Sequence, residues 1–179
     1  MSRPCRPSAY AARYRSWAAV AQAHPLLAKS LNAANHGIVA LFYGAFAALL
    51  VVKGLADPWA LLPLIGIPGA AFVVVSLVRA RLNAPRPFEK DGIEPLVARE
   101  GSGRSFPSRH AFSAFTIASC WWTASPVVAV VLLVLACLLA VLRVAAGVHY
   151  PRDVVAGAVV GLATGALTVA AIELLKVMM

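Results

Sequence analysis

Five apolar stretches, each close to the roughly 20 residues that a helix needs to cross a bilayer, set the rhythm of this 179-residue chain. They cover residues 37–55, 59–80, 108–124, 127–143 and 152–175. Asp57-Pro58 and Ser125-Pro126 turn the chain between neighbours, and a polar stretch, 81–106, separates the second run from the third. Lys53 closes the first run, where its long stem reaches the interface. Pro63 and Pro68 are expected to bend the second. The third run is the least apolar. The fifth carries Gly157-x3-Gly161-x3-Gly165, a spacing that lets helices approach closely in lipid. Residues 9–34 differ in kind: Tyr10, Tyr14, Trp17, Ala21 and Leu27 alternate with Arg13, Arg15, Gln22 and Lys29, and His24-Pro25 interrupts the pattern. Such a basic amphipathic segment is predicted to lie in the membrane interface rather than to carry its charges through hydrocarbon. The expected fold is all-α: a polytopic membrane helix bundle of about five spanning helices plus an N-terminal amphipathic interfacial helix. It divides into a basic segment, 1–36, and a membrane-embedded core, 37–179.

Composition agrees. The chain is 61% hydrophobic and 13% charged, against about 45–50% and 25% in soluble domains. Its formal charge of +9 would suggest nucleic acid in a soluble protein. Here no soluble body exists to present a basic face, so anionic lipid headgroups or an anionic substrate are the expected partners, and nucleic acid is not. With residues 9–34 on the surface, 14 of the 16 Lys and Arg fall on the N-terminal side, and only Lys53 and Lys176 fall opposite. The positive-inside rule makes that side cytoplasmic. Were residues 9–34 to span, the N-terminus and the motifs described below would lie on opposite faces. Cys5, Cys120 and Cys137 form no disulfide framework. The first 30 residues contain no uninterrupted apolar core of about 7–15 residues, so no secretory leader is expected. The Ala- and Arg-rich, Lys-poor composition fits a GC-rich bacterial genome, and the expected location is a bacterial inner membrane.

Three short motifs sit at the edges of the apolar runs: Arg79-x6-Arg86-Pro87, Pro107-Ser108-Arg109-His110 and Arg143-x5-His149-x3-Asp153. Arginine offers a fixed fork of donors that matches a phosphate, and phosphoryl transfer needs chiefly positioning and positive charge around the equatorial oxygens. Arginines at a membrane boundary are costly unless paired or wet; Glu89, Asp91, Glu94 and Glu100 are the nearest acids to pair with them. Pro107 and Ser108 open a helix whose free N–H groups favour an anion. His110 follows one step into that helix. Asp153 is spaced to hold one ring nitrogen of His149 as a donor and leave the other free to attack. Two histidines and a carboxylate also suit a metal, but the surrounding arginines would repel a divalent ion, so no metal is expected. The glycine-containing segment 88–105 is either a lid or headgroup-selecting loop or a solvated connector.

With these residues the chain resembles the type-2 phosphatidic acid phosphatase family, whose fold and phosphate pocket are shared with glucose-6-phosphatase and vanadium haloperoxidases. The family pattern is a basic residue, six positions, Arg-Pro; then Pro-Ser-Gly-His; then Ser-Arg, five positions, His, three positions, Asp. Order and spacing match over about residues 37–175. Arg79 stands where lysine is commoner, Arg109 where the family has glycine, and Leu142 where it has serine. The resemblance implies that His149 is the nucleophile and forms a phosphohistidine, that Asp153 orients it, and that His110 is the general acid. It implies that Arg79, Arg86, Ser108 and Arg143 bind phosphate, with Arg109 free to touch the phosphate or a headgroup, and that no cofactor or metal takes part. The substrate would be a lipid phosphate: a polyprenyl phosphate or diphosphate, phosphatidylglycerol phosphate, phosphatidic acid or a phosphorylated polyprenyl-sugar. A non-catalytic membrane protein that binds or transports anionic lipids would keep the arginines but would not need both His110 and the His149-x3-Asp153 pair.

Overall fold

A computed structural model describes residues 9–97 and 102–178, and every regular element among them is helical. The order is α1 (Ala9–Ala23), α2 (Pro25–Ala56), α3 (Leu61–Leu82), the one-turn α4 (Pro87–Lys90), α5 (Arg109–Cys120), α6 (Pro126–Ala145) and α7 (Pro151–Met178). One-turn 3-10 helices, Pro58–Ala60 and Trp121–Thr123, precede α3 and extend α5. Local chemistry fixes the ends. Proline opens α2, α6 and α7, where its missing N–H costs nothing. Ser108 and Ser125 cap α5 and α6 through their hydroxyls. Asn83, left-handed at φ 39°, closes α3.

Among the described residues, four segments are long and apolar enough to cross a membrane: Leu26–Ala56, Pro58–Lys90, Pro126–Ala145 and Pro151–Met178. Helix α5, the third of the five expected spans, is different. At 12 residues it is only about 18 Å long. Ala111, Phe112, Ala114, Phe115, Thr116, Ile117, Ala118 and Cys120 are all buried. A helix wrapped by protein need not be apolar all round, which accounts for the polar character of this run. Its contact with α7 is so close that a Cβ on Gly157 would lie 2.4 Å from the Ser108 carbonyl oxygen, and one on Gly161 would lie 2.5 Å from that of Phe112. Cys120 is buried and Cys137 exposed, both as free thiols; Cys5 lies outside the described residues.

The N-terminal helix breaks at His24, where the sequence predicts, but α2 restarts at Pro25 and runs without interruption to Ala56. Residues 25–34 therefore lengthen the first spanning helix instead of continuing the interfacial one. Helix α1 buries Ala11, Tyr14, Ala18 and Ala21, one helical face. Its aromatic residues, expected among headgroups, donate instead to protein carbonyls: Tyr10 Oη to Val144 O at 2.9 Å, Trp17 Nε1 to Ala145 O at 3.0 Å and Tyr14 Oη to Glu94 O at 2.7 Å. Val144 and Ala145 end α6, where carbonyls lack partners within the helix. Helix α1 thus lies at the end of the bundle that carries all three motifs.

Candidate active site

His149 and Asp153 are positioned by the turn between α6 and α7. The turn needs Gly147: its φ is +75°, and a Cβ there would lie 2.7 Å from the Tyr14 ring. His149 is 1% exposed and Asp153 0%. The Asp153 Oδ2 atom accepts the Tyr150 backbone N–H at 3.0 Å and the Ser105 hydroxyl at 2.5 Å. His149 Nδ1 lies 3.6 Å from the same oxygen and 3.5 Å from Ser105 Oγ. That separation is electrostatic rather than a full hydrogen bond. Burial pushes the His149 pKa down to about 4; Asp153 pulls it upward, and the positive charges of Arg143 and Arg86 lower it further. The imidazole is therefore neutral at pH 7, with one nitrogen free to act as a base or nucleophile.

The arginines of the motifs are almost fully buried: Arg79 4%, Arg86 2% and Arg143 3% exposed. Arg79 Nη1 donates to the Ser105 and Pro107 carbonyls. Arg86 donates from Nε to Gly103 O at 3.0 Å and from Nη1 to Val148 O at 3.1 Å. These guanidinium groups thus tie the loop before α5 and the loop before α7 to the end of α3. Arg143 Nη1 donates to Asn35 Oδ1 at 3.2 Å. Two of the nearby acids also hold groups other than the arginine side chains. Glu89 accepts the backbone N–H groups of Arg86 and Gly103 at 2.6 and 2.7 Å, and Asp91 accepts the Tyr150 hydroxyl at 2.8 Å. Glu100 lies outside the described residues. The segment 88–97 is accordingly held down from both sides, by α1 and by Tyr150.

At the start of α5 the Ser108 N–H donates to Asp153 O at 2.8 Å, which locks the second motif to the third. The Ser108 Oγ is 3.5 Å from the Ala111 N–H and caps the helix. Arg109 is exposed, with its guanidinium 5.6 Å from the centre of the Phe72 ring. Arg109 and His110 line a cavity of about 290 Å³ walled by Phe42, Tyr43 and Phe72. A second cavity, about 300 Å³, shares Tyr43, Phe72, Ser113 and Ile117 with it and continues past Phe46, Ile65 and Pro68. Together they form a groove between α2, α3 and α5 that runs from His110 toward Ile65 and Pro68.

Two polar residues at this site have no signal in the three motifs. Ser105, 1% exposed, is read from sequence as part of a lid or connector, and its partner Asp153 is 48 residues away. Asn35, 5% exposed, falls between the amphipathic segment and the first apolar run. A hydrogen bond to a charged group contributes about 1.5–3 kcal/mol. Ser105→Ala should therefore lower kcat by about 10- to 100-fold with little change in KM, and Ser105→Thr should restore most of it; steady-state kinetics of the two variants checks this.

The sequence profile of the PAP2 superfamily matches residues 60–175. Among solved structures, Aquifex aeolicus LpxE aligns at 28% identity and a TM-score of 0.66, covering 82% of this chain and 87% of that one. The first transmembrane PAP2-type phosphatidylglycerolphosphate phosphatase from Bacillus subtilis aligns at 23% identity and a TM-score of 0.73, covering 93% and 85%. A search of curated proteins by sequence returned no match.

Proposed function

Because the chain belongs to the PAP2 superfamily, we propose that it is an integral membrane phosphatase that removes phosphate from a lipid through a phosphohistidine on His149. The observation that carries this reading is the buried, neutral His149 beside Asp153 and Ser105, with Arg86 and Arg143 close enough to depress its pKa. In the first step the Nε2 lone pair of His149 attacks phosphorus and the bond to the leaving oxygen breaks. His110 gives its proton to that oxygen. Asp153 holds Nδ1–H and balances the positive charge that the ring acquires. In the second step His110, now neutral, takes a proton from water; the oxygen attacks phosphorus, and the bond to Nε2 breaks to release inorganic phosphate. Arg79, Arg86, Arg143 and the N-terminal N–H groups of α5, with Ser108, bind the phosphate oxygens; Arg109 meets the phosphate or the headgroup at the mouth of the groove. Positive charge surrounds the site, so the reaction is assigned no metal.

The groove from His110 toward Pro68 suits a substrate whose phosphate sits in the motif layer while its apolar tail lies in the bilayer. Polyprenyl phosphates or diphosphates, phosphatidylglycerol phosphate, phosphatidic acid and phosphorylated polyprenyl-sugars all have this form. Phosphate release should be measured in detergent with EDTA over this set, with a water-soluble phosphomonoester for comparison. At least one lipid should be hydrolysed more than tenfold faster, by kcat/KM, than the soluble ester. Equal rates on both would remove the tail from recognition, and no release from any lipid would overturn the proposal.

The His149 pKa gives a second expectation. In the unfolded chain a histidine titrates near 6.5, whereas in the folded protein the value is about 4. The folded state thus resists protonation, and the neutral imidazole persists as the pH falls until about 4. Nitrogen chemical shifts of labelled His149 should stay those of a neutral ring from pH 7 to 5; a midpoint near 6.5 would contradict the assignment.

A further inference from the structure

Another cavity lies on the other side of the bundle from the groove just described. It is about 680 Å³, is almost wholly apolar, and opens between the spanning helices α6 and α7. Tyr10, Arg13 and Trp17 of α1 roof it, Val141 and Val155 stand on its two walls, and Phe115 of α5 lies at its floor. Two features single it out from an accidental gap. The roof is fixed, because Tyr10 and Trp17 donate to the last carbonyls of α6. The roof also carries a cation: Arg13 is exposed on α1 and lines the cavity. A slot at hydrocarbon depth that opens sideways meets lipid tails before anything else. An arginine at the rim of a gap between spanning helices is placed to meet an anionic lipid headgroup.

We propose that this slot is a second lipid site, separate from the hydrolytic one, which holds an acyl chain of an anionic phospholipid with its phosphate on Arg13. The occupant would touch Tyr10 and Pro151. Tyr10 stacks edge-on against Tyr150 with ring centres 5.2 Å apart, and the Tyr150 N–H holds Asp153. The bound lipid therefore braces α1 against the turn that carries His149.

The test uses the full chain as His149→Ala, so that binding is read without hydrolysis and stands apart from the phosphatase assignment. Delipidated protein in detergent is titrated with dioleoyl phosphatidylglycerol or dioleoyl phosphatidylcholine, and bound lipid is counted by native mass spectrometry. Phosphatidylglycerol should bind more tightly than phosphatidylcholine. Val155→Trp, which fills the slot from a lipid-facing position 59% exposed, should weaken it at least tenfold. Arg13→Gln should weaken phosphatidylglycerol alone, by about fivefold, the size expected for one surface arginine. Val141→Trp, from the opposite wall and 64% exposed, repeats the block should Val155→Trp fail to fold. Equal binding of both lipids, or phosphatidylglycerol binding unmoved by either tryptophan, would overturn the proposal; lipid held only in the α2–α3 groove gives that second result.

Discussion

Asp153→Asn should fold normally and lose about 10⁴-fold in kcat, with KM changed far less. Asparagine has nearly the shape of aspartate, and its carbonyl can still accept from Tyr150 N–H and Ser105 Oγ–H, which both reach Oδ2. Its amide would take the place of Oδ1, which lies 3.5 Å from Arg152 Nε on a side chain 65% exposed. What disappears is the negative charge facing His149 Nδ1 across 3.6 Å. That charge sets which ring nitrogen keeps the proton and offsets the positive charge that forms on attack. A similar change in the serine-protease triad costs about 10⁴-fold for the same reason. Melting curves and steady-state kinetics of the purified variant check both halves. Turnover within tenfold of the parent would remove Asp153 from the mechanism, and a large loss of thermal stability would make its role structural.

Gly157→Ala should damage stability and activity together, although the glycine touches no substrate. An added Cβ would lie 2.4 Å from the Ser108 carbonyl oxygen and 3.1 Å from Ala111 Cβ. The first neighbour is backbone and cannot rotate away, so α5 and α7 must separate. Overpacking of this kind costs about 1–3 kcal/mol. The separation falls where the Ser108 N–H meets Asp153 O at 2.8 Å, so the second and third motifs drift apart. A misplacement near 1 Å can cost about 100-fold in rate. Thermal melts and kcat measured side by side test this. Gly44→Ala is the control, since nothing lies within 4 Å of its added Cβ, and it should change neither. Unchanged melting and turnover in Gly157→Ala would contradict the packing described for α5 and α7.

The sequence pattern locates the helices because their limits are set locally. The apolar run at 59–80 becomes α3, Leu61–Leu82, since Asp57-Pro58 starts it and the polar Asn83 stops it. The 127–143 run becomes α6 for the same reason, with Ser125 and Pro126 at its head. The motifs are legible because each lies within a few residues of such a boundary, so their spacing survives folding. What escapes the sequence depends on distant partners. Ser105 has its meaning only from Asp153. Asn35 has its meaning from Arg143, 108 residues on. Tyr10, Tyr14 and Trp17 form a pattern that fits lipid headgroups and loop carbonyls equally well, and only the position of the end of α6 decides between them. The length of α5 is hidden likewise, because its burial is supplied by neighbours and not by its own composition.

The membrane location, the helical fold and the family stand on several independent features. The histidine chemistry rests on one residue above the rest. Phosphate release in EDTA should be followed for His149→Ala, confirmed as folded, on the lipid phosphate that the parent protein hydrolyses fastest. A fall of about 10⁴-fold or more is expected, since removing a nucleophile disables the whole group that works with it. Release within tenfold of the parent would contradict it and would send the search for the attacking group elsewhere in the motif layer.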